Sequence, residues 1–168
     1  MPITDPKKID ELLSRRVEAV YPSKETLKKV LLSGKKLRLY QGFDPSTPNL
    51  HIGHLVGLLK LKEFQDLGHE VIFLIGDFTA MIGDPTGKDK SRKALSKEEV
   101  LENAKTYENQ IKKVLKIDGP NPVKILFNSE WNSKLNFAEV LKLCGQFTIQ
   151  QILERDMFQK RLKENKDI

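Results

Sequence analysis

Residues 36–75 read KLRLYQGFDPSTPNLHIGHLVGLLKLKEFQDLGHEVIFLI, and their order decides the fold. Lys36 to Phe43 alternates, with Leu37, Leu39 and Gln41 on one face, which predicts a strand. Gly42-Phe43-Asp44-Pro45 ends it, and the turn-rich Ser46-Thr47-Pro48-Asn49 follows. From Ile52 to Leu67 apolar residues recur at helical spacing, and Gly68 supplies the stop. Glu70 to Ile75 is a near-continuous apolar run, as expected of a strand covered on both faces. Strand, helix and strand in succession make a parallel βαβ unit with a right-handed crossover.

Upstream, Asp5-Pro6 supplies an N-cap and a proline at the first helical position, and Ile9, Leu12, Leu13, Val17 and Val20 then recur at helical spacing. Ser23 is placed to cap a second helix, with Leu27, Val30 and Leu31 inward and Gly34 as its stop. Downstream, Phe78 to Met81 fits either a loop or a short helix. Gly83-Asp84-Pro85-Thr86-Gly87 is a turn, and Lys88 to Arg92 is a basic loop. Ser96 and Glu99 form a capping box that opens a helix running to Lys116. Gly119-Pro120-Asn121-Pro122 breaks it, Val123 to Phe127 is a third strand, and helical pieces follow, capped near Asn136, Thr148 and Asp156. The expected fold class is α/β: the first half of a Rossmann-like doubly wound parallel sheet, with preceding N-terminal helices over 1–35 and trailing helices completing 36–168.

Composition bounds the rest. The 168 residues are 39% hydrophobic and 31% charged, which excludes a disordered chain. No apolar run approaches the roughly 20 residues that span a bilayer, so no membrane partner is expected. The start, MPITDPKKIDELL, lacks the pattern of a signal peptide. One cysteine, Cys144, leaves no internal disulfide and suits a reducing cytosol, so a cytoplasmic location is expected. The formal charge of +6 favours anionic partners such as nucleotides or RNA, though acids and bases interleave along most of the chain.

Ligands of doubly wound sheets bind outside the carboxyl ends of the strands, which points to the loops after Gly42, Ile75 and Phe127. His51 and His54 are three apart at a helix start and share a face. The unpaired N–H groups there favour a phosphate, and two imidazoles add donors. Gly53 leaves the backbone open to a flat base. Together these predict a nucleotide triphosphate cradle; the competing reading is that the histidines merely cap the helix. Asp84, in its glycine-rich turn, fits either a partner for an ammonium group or an Asx-turn residue. Lys88, Lys90 and Arg92 fit either a loop that closes over phosphates or a solvated one. No metal site is expected.

The blocks Leu39-Tyr40-Gln41-Gly42-Phe43-Asp44-Pro45-Ser46, Leu50-His51-Ile52-Gly53-His54, Phe64-Gln65-Asp66-Leu67-Gly68-His69 and Ile82-Gly83-Asp84-Pro85-Thr86-Gly87-Lys88 resemble, in order and spacing, the N-terminal part of bacterial tyrosyl-tRNA synthetases. Glu102-Asn103-Ala104-Lys105-Thr106-Tyr107, Asn128-Ser129-Glu130-Trp131 and Leu153-Glu154-Arg155-Asp156 agree too. The HIGH tetrad alone marks the wider synthetase superfamily; the GFDP and IGDPTGK blocks point to the tyrosine branch over the tryptophan one.

The resemblance implies activation of L-tyrosine by ATP to tyrosyl-adenylate, then transfer to tRNA(Tyr). ATP is a substrate, with Mg2+ expected on its phosphates, and no tightly bound cofactor is implied. By position, Tyr40 would hydrogen-bond the phenol, Asp84 and Thr79 would sit at the amino-group end, and Asp44 would lie between tyrosine and nucleotide. Ser46, His51 and His54 would act on ATP phosphate and ribose, Gly42 and Gly53 would line the ATP site, and Lys88 and Arg92 would grip pyrophosphate. Gln41 stands where a small residue is expected and Gly57 where many members carry a small polar or larger one; both positions lie near the ribose in the family. A homodimer is implied for the full-length enzyme.

The family continues through a second half of the sheet, a KMSKS loop and a tRNA-anticodon region, none of which these residues contain. On the resemblance the chain is expected to be a fragment with an open sheet edge and uncovered apolar surface, marginally stable or self-associating. Two alternatives belong to other classes. One is a non-catalytic truncated module that binds nucleotide, RNA or a partner subunit; the other is a nucleotidyltransferase of a different family that shares an HxGH element.

Overall fold

The computed structural model describes residues 1–82 and 95–165. Three strands, β1 (Arg38–Phe43), β2 (Glu70–Ile75) and β3 (Lys124–Phe127), form a parallel sheet in the order β1-β2-β3. Arg38 pairs with Glu70 and Phe43 with Ile75; Ile72 pairs with Lys124 and Ile75 with Phe127. The side-chain period of two then sorts each strand. Leu39, Phe43, Val71, Phe73, Ile75, Ile125 and Phe127 belong to the main core with Leu58, Leu61, Tyr107 and Ile111, and Phe73 is fully buried. The opposite face carries Tyr40, Ile72, Leu74 and Leu126, which line a shallow apolar cavity with Trp131. β2, expected to be covered on both faces, is buried along most of its length: Val71, Phe73 and Ile75 on the core side and Ile72 on the other, where Leu74 is half-buried.

The connection from β1 to β2 is α3 (Ile52–Asp66), and Gly68 ends it with a φ of +90°, a conformation that favours glycine. Gln65 is buried on α3 with both ends of its carboxamide used. Nε2 donates to the Lys116 and Asn121 carbonyls, at 2.8 and 3.1 Å, and Oε1 accepts from Lys116 N–H at 2.9 Å. One side chain thus satisfies the loop that leads into β3.

The N-terminal helices depart from expectation. α1 (Pro6–Leu12) begins at the Asp5 cap as expected but stops well before Val17 and Val20. Lys60 of α3 donates to the Leu12 and Arg15 carbonyls at 2.6 and 2.8 Å, and Arg16 turns to a φ of +56°. A tertiary cation caps the helix where the apolar pattern alone would continue it. α2 (Lys24–Leu32) follows its Ser23 cap, and Ile9, Leu12, Leu13 and Leu31 close a second cluster on Leu67.

The helix expected from Ser96 to Lys116 is two: α4 (Lys97–Ala104) and α5 (Tyr107–Ile111). The break at Lys105-Thr106 lets side chains of both pieces reach the loop after β1, as described below. Phe78 to Met81 contains a single 3₁₀ turn, Thr79–Met81. After β3 come α6 (Ser129–Asn132), α7 (Phe137–Cys144), α8 (Ile149–Leu153) and α9 (Asp156–Lys163). Asn136 and Thr148 cap α7 and α8 as expected, whereas Arg155 and not Asp156 precedes α9. No residue of α7 or α8 is buried.

β1 begins at Arg38 and not at Lys36 because Leu37 N–H donates to His69 Nδ1 at 3.3 Å, outside the ladder. His69 is 1% exposed, and burial, then the nearby Lys36 charge, pushes its imidazole below the ordinary histidine range. A depressed folded value means that the unfolded chain binds the proton first. The stability tied to this group is therefore present in full above about pH 6.5, the ordinary histidine value, and is lost as pH falls from there through the lower folded value. Urea midpoints are expected to be lower at pH 5.5 than at pH 7.5. In His69→Gln, which keeps an acceptor for Leu37 N–H, the gap should narrow. An equal gap in both chains would refute the assignment.

Candidate active site

The carboxyl ends of the three strands converge on one edge of the sheet. The stretch from Asp44 to Leu50 leaves β1 there, and its shape is set by helices distant in sequence. Asn103 Nδ2 donates to the Pro45 carbonyl at 2.9 Å, and the Tyr107 hydroxyl to Thr47 O at 2.9 Å. Gln110 donates to Pro48 O at 2.8 Å and accepts from Leu50 N–H at 2.8 Å, while the Thr106 hydroxyl also bonds to Pro48 O. Tyr107 is 1% exposed, and burial, then the Asp44 charge, pushes its phenol up. Sequence pattern alone does not single out these four residues; three of them, Asn103, Thr106 and Tyr107, fall in the run from Glu102 to Tyr107.

The loop delivers His51 as N-cap of α3 and His54 one turn into it. Gly53 N–H donates to His51 Nδ1 at 3.1 Å, and His51 N–H donates to His54 Nδ1 at 3.2 Å. The two rings stack with centroids 3.7 Å apart. An imidazole nitrogen that accepts an N–H bears a lone pair, so in each neutral ring the proton sits on Nε2. Burial, then the neighbouring His51, pushes the His54 imidazole down, which keeps it neutral near pH 7. Capping and donor roles are thus not alternatives: Nδ1 caps and Nε2–H remains to donate.

One expectation about this helix start needs correction. The backbone donors of the first turn are largely engaged, since Gly53 N–H goes to His51 Nδ1 and His54 N–H to the His51 carbonyl at 2.9 Å. An anion here would meet imidazole donors more than backbone ones. A Cβ at Gly53 would lie 2.9 Å from His51 Cε1, so the missing side chain leaves room for the imidazole.

His51 and His54 line a cavity of about 430 Å³ with Gly42, Phe43, Asp44, Ser46 and Thr47. Tyr40 lies elsewhere, 69% exposed in the apolar cavity on the other side of the sheet edge, with Asn128 and Asn132. Thr79 and Asp44 are brought together: the Thr79 hydroxyl donates to Asp44 Oδ1 at 2.7 Å. Asn128 Nδ2 donates to Thr79 Oγ1 at 3.0 Å, so one hydrogen-bonded chain runs from the wall of one cavity to that of the other. Asp77 braces the same corner by accepting from Ser129 N–H at 3.0 Å. Asp84, Lys88 and Arg92 lie outside the described residues. Among the described residues no three His, Cys, Asp or Glu side chains are grouped to hold a metal ion. Nor, among those residues, is any helix long and apolar enough to cross a membrane.

The two departures at Gln41 and Gly57 prove to be one contact. A Cβ at Gly57 would lie 2.6 Å from Gln41 Cδ and closer still to the carboxamide head. The long residue on β1 fills the space that the glycine on α3 leaves. Gly57→Ala is expected to change stability by less than about 1 kcal/mol, because the free end of the Gln41 side chain can turn aside and alanine is the better helix former by about 1 kcal/mol. In a Gln41→Ala background Gly57→Ala should be more stabilising than in the native one, read as a coupling in urea denaturation. Additive effects would show that the two positions do not compensate.

Residues 32–168 match the family of class I tRNA synthetases (W and Y). The tyrosine–tRNA ligase of Carboxydothermus hydrogenoformans is 53% identical over 171 residues, covering all of this chain and 41% of that protein. The ligase of Aquifex aeolicus is 54% identical over 140 residues, covering 83% of this chain and 35% of its own length. The chain therefore spans about two-fifths of the relatives it matches. A C-terminally truncated mitochondrial tyrosyl-tRNA synthetase of Aspergillus nidulans superposes with a TM-score of 0.76 at 25% identity, covering 95% of this chain and 48% of the other. The synthetase of Archaeoglobus fulgidus complexed with L-tyrosine gives 0.69 at 25% identity, covering 87% and 42%.

Proposed function

The chain belongs to the class I tRNA synthetases of the tryptophan and tyrosine family, and from that membership we propose that it supplies the ATP- and tyrosine-binding part of a tyrosine–tRNA ligase. The observation that carries this reading is the His51–His54 pair, with both Nδ1 atoms engaged by backbone and both rings lining the cavity beside Asp44. In the reaction the tyrosine carboxylate attacks the α-phosphorus of ATP and pyrophosphate departs. The carboxylate is its own nucleophile, so no catalytic base is required. The protein's work is to align the reactants and to stabilise charge on the phosphates. Two Nε2–H donors suit that charge. ATP enters with its magnesium as substrate; the chain's own part is the imidazole pair, the Ser46 hydroxyl and the Asp44–Thr79 pair toward the amino acid.

Tyr40, with Asn128 in the apolar cavity, would take the substrate ring, and its hydroxyl would select the phenol. Asp84 would hold the ammonium group, and Lys88 and Arg92 the departing pyrophosphate. The whole enzyme would pass the tyrosyl group to tRNA(Tyr) and work as a cytoplasmic homodimer. The exposed apolar side chains of α7 and α8, among them Phe137 and Ile149, are a fitting surface for the second subunit.

Pyrophosphate exchange into ATP tests the reading directly. Exchange stimulated by tyrosine and not by tryptophan is expected. A folded chain that neither exchanges pyrophosphate nor binds ATP would overturn it and favour a non-catalytic module.

A further inference from the structure

Asn128 stands at the end of β3, 7% exposed, with its N–H donating to the Ile75 carbonyl at 2.9 Å. Phe78 N–H donates to its side chain at 2.8 Å, so the atom facing Phe78 is Oδ1. That fixes the amide: Nδ2 faces Thr79 Oγ1 at 3.0 Å and can only donate. A threonine hydroxyl has one proton. With a lone pair taken by Asn128, the proton must go to an acceptor, either Asp44 Oδ1 at 2.7 Å or the Gly76 carbonyl at 3.2 Å. The shorter contact ends on a carboxylate, and hydrogen bonds to ionised acceptors are the stronger ones.

We propose that Asn128 is a positioning residue: it sets the direction of the Thr79 proton and thereby fixes the Asp44 carboxylate at the edge of the histidine-lined cavity. Asn128 also lines the apolar cavity, so the chain Asn128→Thr79→Asp44 ties the two cavities together. The direction depends on an amide at position 128. A carboxylate there could still accept from Phe78 N–H, but its second oxygen would compete with Asp44 for the single Thr79 proton. The geometry stands alone; only the importance of Asp44 to substrate rests on the tyrosine-activation reading.

The test is a titration of the Asp44 side-chain carboxyl by carbon-detected NMR in the 168-residue chain without ligands. In the native background, Thr79→Val is expected to raise the proton affinity of Asp44 roughly tenfold, as for loss of one hydrogen bond to a charged group. Thr79→Ser should leave it unchanged. In an Asn128→Asp background, Thr79→Val should have no further effect, because the proton has already turned away. That comparison cancels the charge added at position 128. An equal Thr79→Val effect in both backgrounds overturns the proposal. So does the absence of any effect in the native chain, a result that needs no Asn128 variant to fold. Because neither ATP nor tyrosine is present, failure here leaves the ligase reading standing, and failed pyrophosphate exchange leaves this one standing.

Discussion

Gly76→Ala is expected to break the site and to destabilise the chain by about 2 kcal/mol or more, the combined scale of overpacking and a lost charge-assisted hydrogen bond. Gly76 ends β2, and its N–H donates to the Phe43 carbonyl at 2.9 Å. A Cβ on it would fall 2.7 Å from Thr79 Oγ1 and closer than that to Asp44 Oδ1. Thr79 is held by Asn128 and the Asp44 carboxylate by the Thr79 hydroxyl, so the carboxylate can swing aside only by giving up that hydrogen bond. The midpoint of urea denaturation should fall. Adding Asp44→Ala to Gly76→Ala should recover part of the loss, because the carboxylate is the atom in the way. A Gly76→Ala chain as stable as the native one would show that the glycine is not required by this contact.

The second large effect is on chemistry. In a sample active in pyrophosphate exchange, His51→Ala or His54→Ala should each lower the rate by about 10²–10³, the size for one donor aimed at transition-state charge. Each should also cost stability, about 1 kcal/mol for a lost cap. The two roles separate at position 51. Asparagine is a good N-cap but has no group at the Nε2 position, so His51→Asn should keep the melting temperature and lose the exchange. Full exchange in His51→Asn would reduce His51 to a capping residue.

How much of this was legible in the sequence differs by residue. The βαβ unit was, because Leu39, Val71, Phe73 and Ile75 lie in unbroken periods flanked by Gly42 and Gly68, and local chemistry sets both ends. The position of His51 at the start of α3 was legible for the same reason. The end of α1 was not: Val17 continues the apolar period, and a lysine 45 residues away from Arg15 stops the helix. The break between α4 and α5 was hidden likewise, since Thr106 leaves the helical pattern to bond Pro48, 58 residues before it.

The sequence by itself determined the strand, helix and strand order, the caps at Asp5, Ser23, Ser96, Asn136 and Thr148, and the edge of the sheet at which a ligand could bind. Each of these depends on residues within a few positions of one another. Only the tertiary structure decided that both histidines give Nδ1 to the backbone, that Gln41 fills the space at Gly57, and that Asp44, Thr79 and Asn128 form one chain. Those facts depend on which strand ends lie side by side and on distances of about 3 Å across them, a scale that periodicity and propensity do not resolve.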